Sequence, residues 1–218
     1  MPIVIANKHG PAKSPTDLVN PNADSAKADA HCAIDISDAP AQIIRMIAAA
    51  KIGFFSKRRI NESLSIRDRY MGYTSALAEN NIEVNLDYVC VDLDDKYNML
   101  NETEAARYDS LRAYIAEIIG QMRAEGVTCI LCQNDWVAVE LYSVCEELGI
   151  SVPDDMCIMG FDNMDELNNM HGGDKIITVE QDFYEIGVRA GETILKEIRG
   201  EEKGIRDVVP VKLITRDY

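Results

Sequence analysis

The polar residues best placed for chemistry in this chain are Asn134, Asp135, Asp162 and Arg69. Asn134 and Asp135 follow an apolar run, 127–132. Asp162 follows a second run, 156–159, through Gly160 and Phe161. Both runs have strand length, and apolar residues at helical spacing lie between them. The unit therefore reads strand, helix, strand, the repeat of a parallel sheet. Open parallel sheets hold ligands beyond the carboxyl ends of their strands, which is where these residues fall. Arg69 lies in the first turn of another helical stretch, near a further strand end. Carboxylates, an amide and a guanidinium in such places can hold hydroxyls or a carboxyl group by convergent hydrogen bonds.

They do not make a catalyst. The chain has no GxSxG elbow, no P-loop, no GxGxxG after a strand and no HExxH. Nothing assembles a nucleophile, base and orienter, so the expectation is no enzyme and no cofactor. His9 and His31 stand isolated, which gives no metal site. Of six cysteines, Cys90, Cys129, Cys132, Cys145 and Cys157 lie in apolar strand or helix patterns and read as buried free thiols. Cys129 and Cys132 form a CxxC, but the odd offset on a strand sends the two side chains to opposite faces.

The elements that must position these residues follow from periodicity. Asn134 or Asp135 can cap a helix whose buried face is Val137, Leu141, Val144, Cys145 and Leu148, with Gly149 as its C-terminal stop. Lys51–Phe55 reads as a strand. Ser65 and Asp68 give a capping-box-like start to a helix that buries Ile66, Tyr70, Tyr73 and Leu77. Residues 88–93 read as a strand and 94–104 as a polar loop. Residues 105–123 read as a helix with Tyr108, Leu111, Ile115, Ile118, Ile119 and Met122 on one face. Residues 176–179 read as a strand, followed by a helix burying Phe183, Ile186, Ala190, Ile194 and Ile198. Residues 208–215 read as a last strand. Near the start, 2–6 and 33–36 read as short strands, 9–30 as a long loop, and Pro40 as the opening of a helix with Ile43, Ile44 and Ile47. Lys57, Arg58 and Arg59 read as a solvated basic loop.

The ordered series Asn134-Asp135, Gly149-Ile150-Ser151-Val152-Pro153-Asp154-Asp155 and Gly160-Phe161-Asp162-Asn163 resembles the effector-binding domain of the lac and galactose repressor family. Arg69-Tyr70-Met71-Gly72-Tyr73 resembles that family's Arg-x-x-Gly-aromatic motif, and 177–183 its return segment between lobes. The resemblance implies an α/β, two-lobed, periplasmic-binding-protein-like (type I) fold with parallel sheets flanked by helices. It implies a partial N-terminal lobe, 1–50 and 176–206, and a complete C-terminal lobe, 51–175 and 207–218. It further implies ligand contacts from Arg69, Asp162, Asn134, Ser65 and Gln181. The family's aromatic stacking position falls near Asp92 or Leu93, with Tyr97 as the substitute.

The expected function is sensing of a sugar or related small metabolite in a bacterial transcription regulator, without its DNA-binding headpiece. A transport-system solute-binding protein and a ligand-free interaction remnant are the alternatives. The chain reads as a truncated product, a fragment or a diverged remnant. The net charge of −15 opposes binding to a polyanion, so DNA is contacted only through a helix-turn-helix that these 218 residues lack. No apolar run reaches membrane-span length and no signal peptide is evident, so the expected setting is cytoplasmic. The expected partners are the effector and a second copy in a homodimer.

Overall fold

The computed structural model describes residues 4–6, 31–35, 51–99, 103–201, 203–204 and 206–215. The expected loop at 9–30 and the expected helix at 40–50 lie outside them.

The first sheet takes its strands from the apolar runs. β3 (Lys51–Phe55) and β5 (Val127–Cys132) lie side by side at its centre, with β4 (Val89–Cys90) and β6 (Cys157–Met159) outside them. The order is β4-β3-β5-β6, all parallel. Parallel strands covered on both faces need continuous apolar runs, and KIGFF and VTCILC supply them. β7 (Thr178–Glu180) continues this sheet beyond β6. Gly160 N–H donates to Ile177 at 2.7 Å, and Asp162 N–H to Val179 at 2.9 Å. β9 (Lys212–Ile214) then pairs antiparallel to β7. A second parallel sheet joins β1 (Val4–Ala6), β2 (His31–Asp35) and β8 (Arg206–Pro210), in that order.

Helices cover the first sheet on both sides. α1 (Leu64–Glu79) packs Tyr73, Ala76 and Leu77 against Ile52, Phe54, Cys129 and Leu131. That core runs on to Ile186 and Val209. α3 (Glu104–Ala124) and α4 (Asp135–Glu147) pack on the opposite face around Ile130, Cys132 and Ile158. Cys129 and Cys132 therefore sit in different cores, as the odd offset requires. Both are free thiols, with Cys90, Cys145 and Cys157. Burial pushes the Cys132 thiol well above its ordinary value, and Cys145 up to about 12.

Several local expectations need correction. The first helix starts two residues early: Ser63 is its extended N-cap residue, and Ser65 lies inside the first turn. Residues 94–104 are not all loop. α2 (Leu93–Met99) forms because Leu93 is buried and Asp94 and Asp95 meet the positive N-terminal end. The segment 208–215 is two strands: β8 ends at Pro210, which has no N–H to carry a ladder onward. Tyr108 points to solvent, whereas Leu111, Ile115, Ile119 and Met122 are buried.

The largest discrepancy concerns α5 (Phe183–Arg199). Asp182 caps it by accepting from Glu185 N–H at 2.8 Å, and Gly200 ends it at φ 71°. Of the five residues expected on its buried face, Ile186 is buried, Ala190 packs against the core and Ile194 is half-buried, with Thr193 buried beside them. Phe183 is 60% exposed and Ile198 75%. Among the described residues, no helix is long and apolar enough to cross a membrane.

Candidate functional site

The site forms where β5, β6 and β7 end. Gly160 and Phe161 leave β6, and the chain turns back at Asp162, whose φ of 108° few side chains adopt. The bond from its N–H to Val179 holds that conformation against β7. Asp162 Oδ1 accepts from Arg69 Nη2 at 2.8 Å and from the Gln181 side-chain amide. Arg69 reaches it from the second turn of α1 and also donates through Nη1 to the Gln133 carbonyl. Its guanidinium lies 4.0 Å from the centre of the Phe161 ring, a cation–π contact in a desolvated place.

Arg69 is only 7% exposed, on the buried face of α1 rather than beside it. Burial lowers its pKa from the ordinary value, and Asp162 opposes that shift. Burial raises the Asp162 carboxyl, and Arg69 and Gln181 oppose it. The pair is thus a partly desolvated charge-assisted bond whose carboxylate keeps some access to solvent.

Three of the five expected residues, Arg69, Asp162 and Gln181, therefore meet at one carboxylate. Asn134 stands beside them but has structural employment: its Oδ1 caps α4, accepting from Val137 N–H at 3.2 Å. Ser65 is not brought to the cluster; its hydroxyl pairs with Ser63 Oγ at 2.7 Å. Tyr97 packs against the core behind the sheet, with Arg107 5.0 Å over its ring. Leu93 is buried and Asp92 pairs with Arg59, so the stacking position is not occupied by an aromatic ring from 92, 93 or 97.

Sequence reasoning missed the neighbours that support this cluster. Ser56 is fully buried and donates to the Gln133 side chain at 2.5 Å; Lys57 N–H donates to the same oxygen at 2.9 Å. Gln133 therefore cannot swing, and its carbonyl stays under Arg69. The basic loop is paired throughout: Lys57 with Glu140 at 2.7 Å, Arg58 with Asp94 at 3.9 Å, and Arg59 with Asp95 at 2.7 Å. Among the described residues no group of His, Cys, Asp and Glu could hold a metal ion.

Parallel α/β layers with a polar cluster at the strand ends define a ligand-binding fold of the two-sheet kind. Residues 49–217 match the family described as periplasmic binding protein-like domain, and the chain belongs to that family. Within it, the likeness is to effector-binding domains of bacterial repressors. The HTH-type transcriptional repressor PurR of Photobacterium profundum is 28% identical over 168 residues, 76% of this chain and 45% of that protein. An arabinose metabolism transcriptional repressor of Geobacillus stearothermophilus is 27% identical over 156 residues, 72% of this chain and 38% of that protein. The chain thus spans less than half the length of these relatives. A regulatory protein of the LacI family from Chloroflexus aggregans has the same fold, with a TM-score of 0.71 at 19% identity; 90% of this chain and 64% of that one are covered. A CelR–cellobiose complex gives 0.68 at 18%, covering 87% and 54%.

Proposed function

We propose that this chain is the ligand-sensing part of a bacterial transcription regulator and that Arg69, Asp162 and Gln181 grip a small polyhydroxylated metabolite. The observation carrying the reading is the convergence of these three side chains on one carboxylate at the strand ends. Asp162 keeps solvent access on that carboxylate, and a charged acceptor is what a sugar hydroxyl needs. Asn134 adds an amide beside the cluster and Ser65 a more distant hydroxyl. The solved LacI-family regulator from Enterococcus faecium holds ribose and CelR holds cellobiose, which favours a sugar here.

The lobes divide as one unit built on the β4-β3-β5-β6 sheet with β7 and β9, and another holding β1, β2, α5 and β8, which moves the expected boundaries from 176 and 206 to about 181 and 211. The chain passes between them at Gln181 and again at Val211. In the whole regulator DNA is met by a separate helix-turn-helix, and the protein works in the cytoplasm as a dimer. It performs no catalysis.

Titration calorimetry of the chain against pentoses, hexoses and nucleosides tests the reading. The expected result is weak saturable binding, because a cleft must enclose its ligand from both lobes. Asp162→Ala should weaken it by about 1.5–3 kcal/mol. Wild-type affinity retained in Asp162→Ala would overturn the site. Absence of saturable binding to every compound would favour the second reading, a ligand-free interaction module, which the exposed apolar side of α5 supports.

A further inference from the structure

Asp135 is a buried carboxylate that the proposed ligand contacts do not use. It is fully enclosed, and its surroundings converge on it. Its Oδ1 accepts from the Thr178 hydroxyl at 2.6 Å, and its Oδ2 from Met164 N–H at 3.0 Å. Its own N–H donates to the Phe161 carbonyl at 3.0 Å. Asn163 N–H donates to Thr178 Oγ1 at 3.3 Å, closing a ring of bonds around the turn that carries Asp162. Finally, a Cβ at Gly160 would lie 2.1 Å from Asp135 Oδ1, so the carboxylate fills space that any other residue at 160 would take.

We propose that Asp135 is the positioning residue of this site. It clamps the 160–164 turn to Thr178 of β7, so that Asp162 and Gln181 leave their strands at the spacing Arg69 needs. A simple cap would satisfy the first amides of α4; here Asn134 already does that, and Asp135 turns away to the neighbouring turn and strand. Met164 and Thr178 are 14 residues apart in sequence and lie on different segments, so one carboxylate fixes both against the start of α4. Burying a carboxylate is costly unless it is well bonded, and each of its two oxygens accepts a hydrogen bond here. The consequence for ligand rests on the reading of Asp162 as a ligand contact; the positioning itself does not.

The test uses the ligand-free chain and nuclear magnetic resonance. In Asp135→Ala, the Met164 amide should exchange with solvent about 10- to 100-fold faster, the range set by losing a hydrogen bond to a charged acceptor. The slowly exchanging Arg69 guanidinium protons held by Asp162 should vanish, while amides of β3 and β5 stay protected. Asp135→Asn should restore both signals. Its amide oxygen can still accept from Met164, and its NH2 can donate to Thr178. If Asp135→Ala does not fold, Thr178→Val carries the test, with displaced Asn163 and Arg69 signals expected. Unchanged Arg69 guanidinium signals in Asp135→Ala, or in Thr178→Val where that variant is needed, would overturn the proposal. Failure of sugar binding to respond to Asp162→Ala would instead overturn the ligand reading and leave these signals as they are.

Discussion

α4 and α5 have the same local design and opposite environments. Each follows a strand, each has a side-chain N-cap from Asn134 or Asp182, and each carries apolar residues at helical spacing. In α4 most of those residues disappear: Val137, Ala138, Leu141, Val144 and Cys145 lie between α3 and the sheet, and only Leu148 of the expected face, at its C-terminal end, stays exposed. In α5 the same spacing leaves Tyr184 82% exposed, with Val188, Leu195 and Ile198 also in solvent. Amphipathicity states that a helix has an apolar side. It does not state that something covers that side. The two helices show that burial is a property of neighbours, and that periodicity in sequence reports only the capacity for it.

The sharpest way to break this comparison is to truncate one leucine on each helix. Leu141→Ala in α4 should cost about 2–5 kcal/mol, because a close-packed core relaxes only partly around the void. Leu195→Ala in α5 should cost no more than about 0.5 kcal/mol, as for other exposed positions. Urea unfolding of both variants measures the contrast; equal losses would show that α5 is covered in solution.

The next effect concerns the Arg69–Asp162 bond at the head of the same unit as α4. Asp162→Ala should weaken effector binding by about 1.5–3 kcal/mol, the worth of a charged acceptor left out of a hydroxyl contact. Calorimetry on this chain gives the number. A lower melting temperature with unchanged affinity would make Asp162 a turn former only.

A smaller effect is expected from the bare side of α5. Exposed apolar patches favour association in water. Sedimentation velocity over a hundredfold dilution should show a dimer or larger species, and Leu195→Glu should weaken self-association about tenfold, roughly 1.4 kcal/mol by RT ln 10. A monomer at every concentration would mean that other residues of the chain shield this helix.

The smallest effect is in pH. Burial raises the Asp135 carboxyl above its ordinary 3.8, so the native fold holds that proton more tightly than the unfolded chain. Its contribution to stability is present in full below 3.8 and is lost as pH rises through the raised native value. Asp135→Asn removes this loss. The variant should therefore gain on the wild type as pH rises through that window, and urea midpoints measured at a series of pH values give the difference. Parallel curves would refute the direction of the shift.

Much of the first sheet could be read from the chain because its strands are continuous apolar runs with strong punctuation. Val127–Cys132, Asn134 as cap and Gly149 as stop all fell where spacing put them. β8 and β9 look like one strand in sequence because apolar residues on both sides of Pro210 continue the pattern across the break. The helix at Leu93–Met99 was hidden by its polarity, which serves its first turn. Within the site, Arg69, Asp162 and Gln181 could be named from motifs. Asp135 could be named from its place after the strand, but not its contacts, since these reach Met164 and Thr178 and no local spacing brings those two segments together. Ser65 fell elsewhere because the helix begins two residues earlier, with Ser63 at the N-cap position, and the two hydroxyls pair with each other.

The two described passages between the sheets, at Gln181 and at Val211, lie next to each other because β7 and β9 pair. Mechanically they form a short pivot. The bond between Gln181 and Asp162 spans almost no distance from that pivot, so it has a short lever arm. α5 begins two residues beyond Gln181 and runs 17 residues, about 25 Å at 1.5 Å per residue, so any rotation about that pivot would displace its far end most.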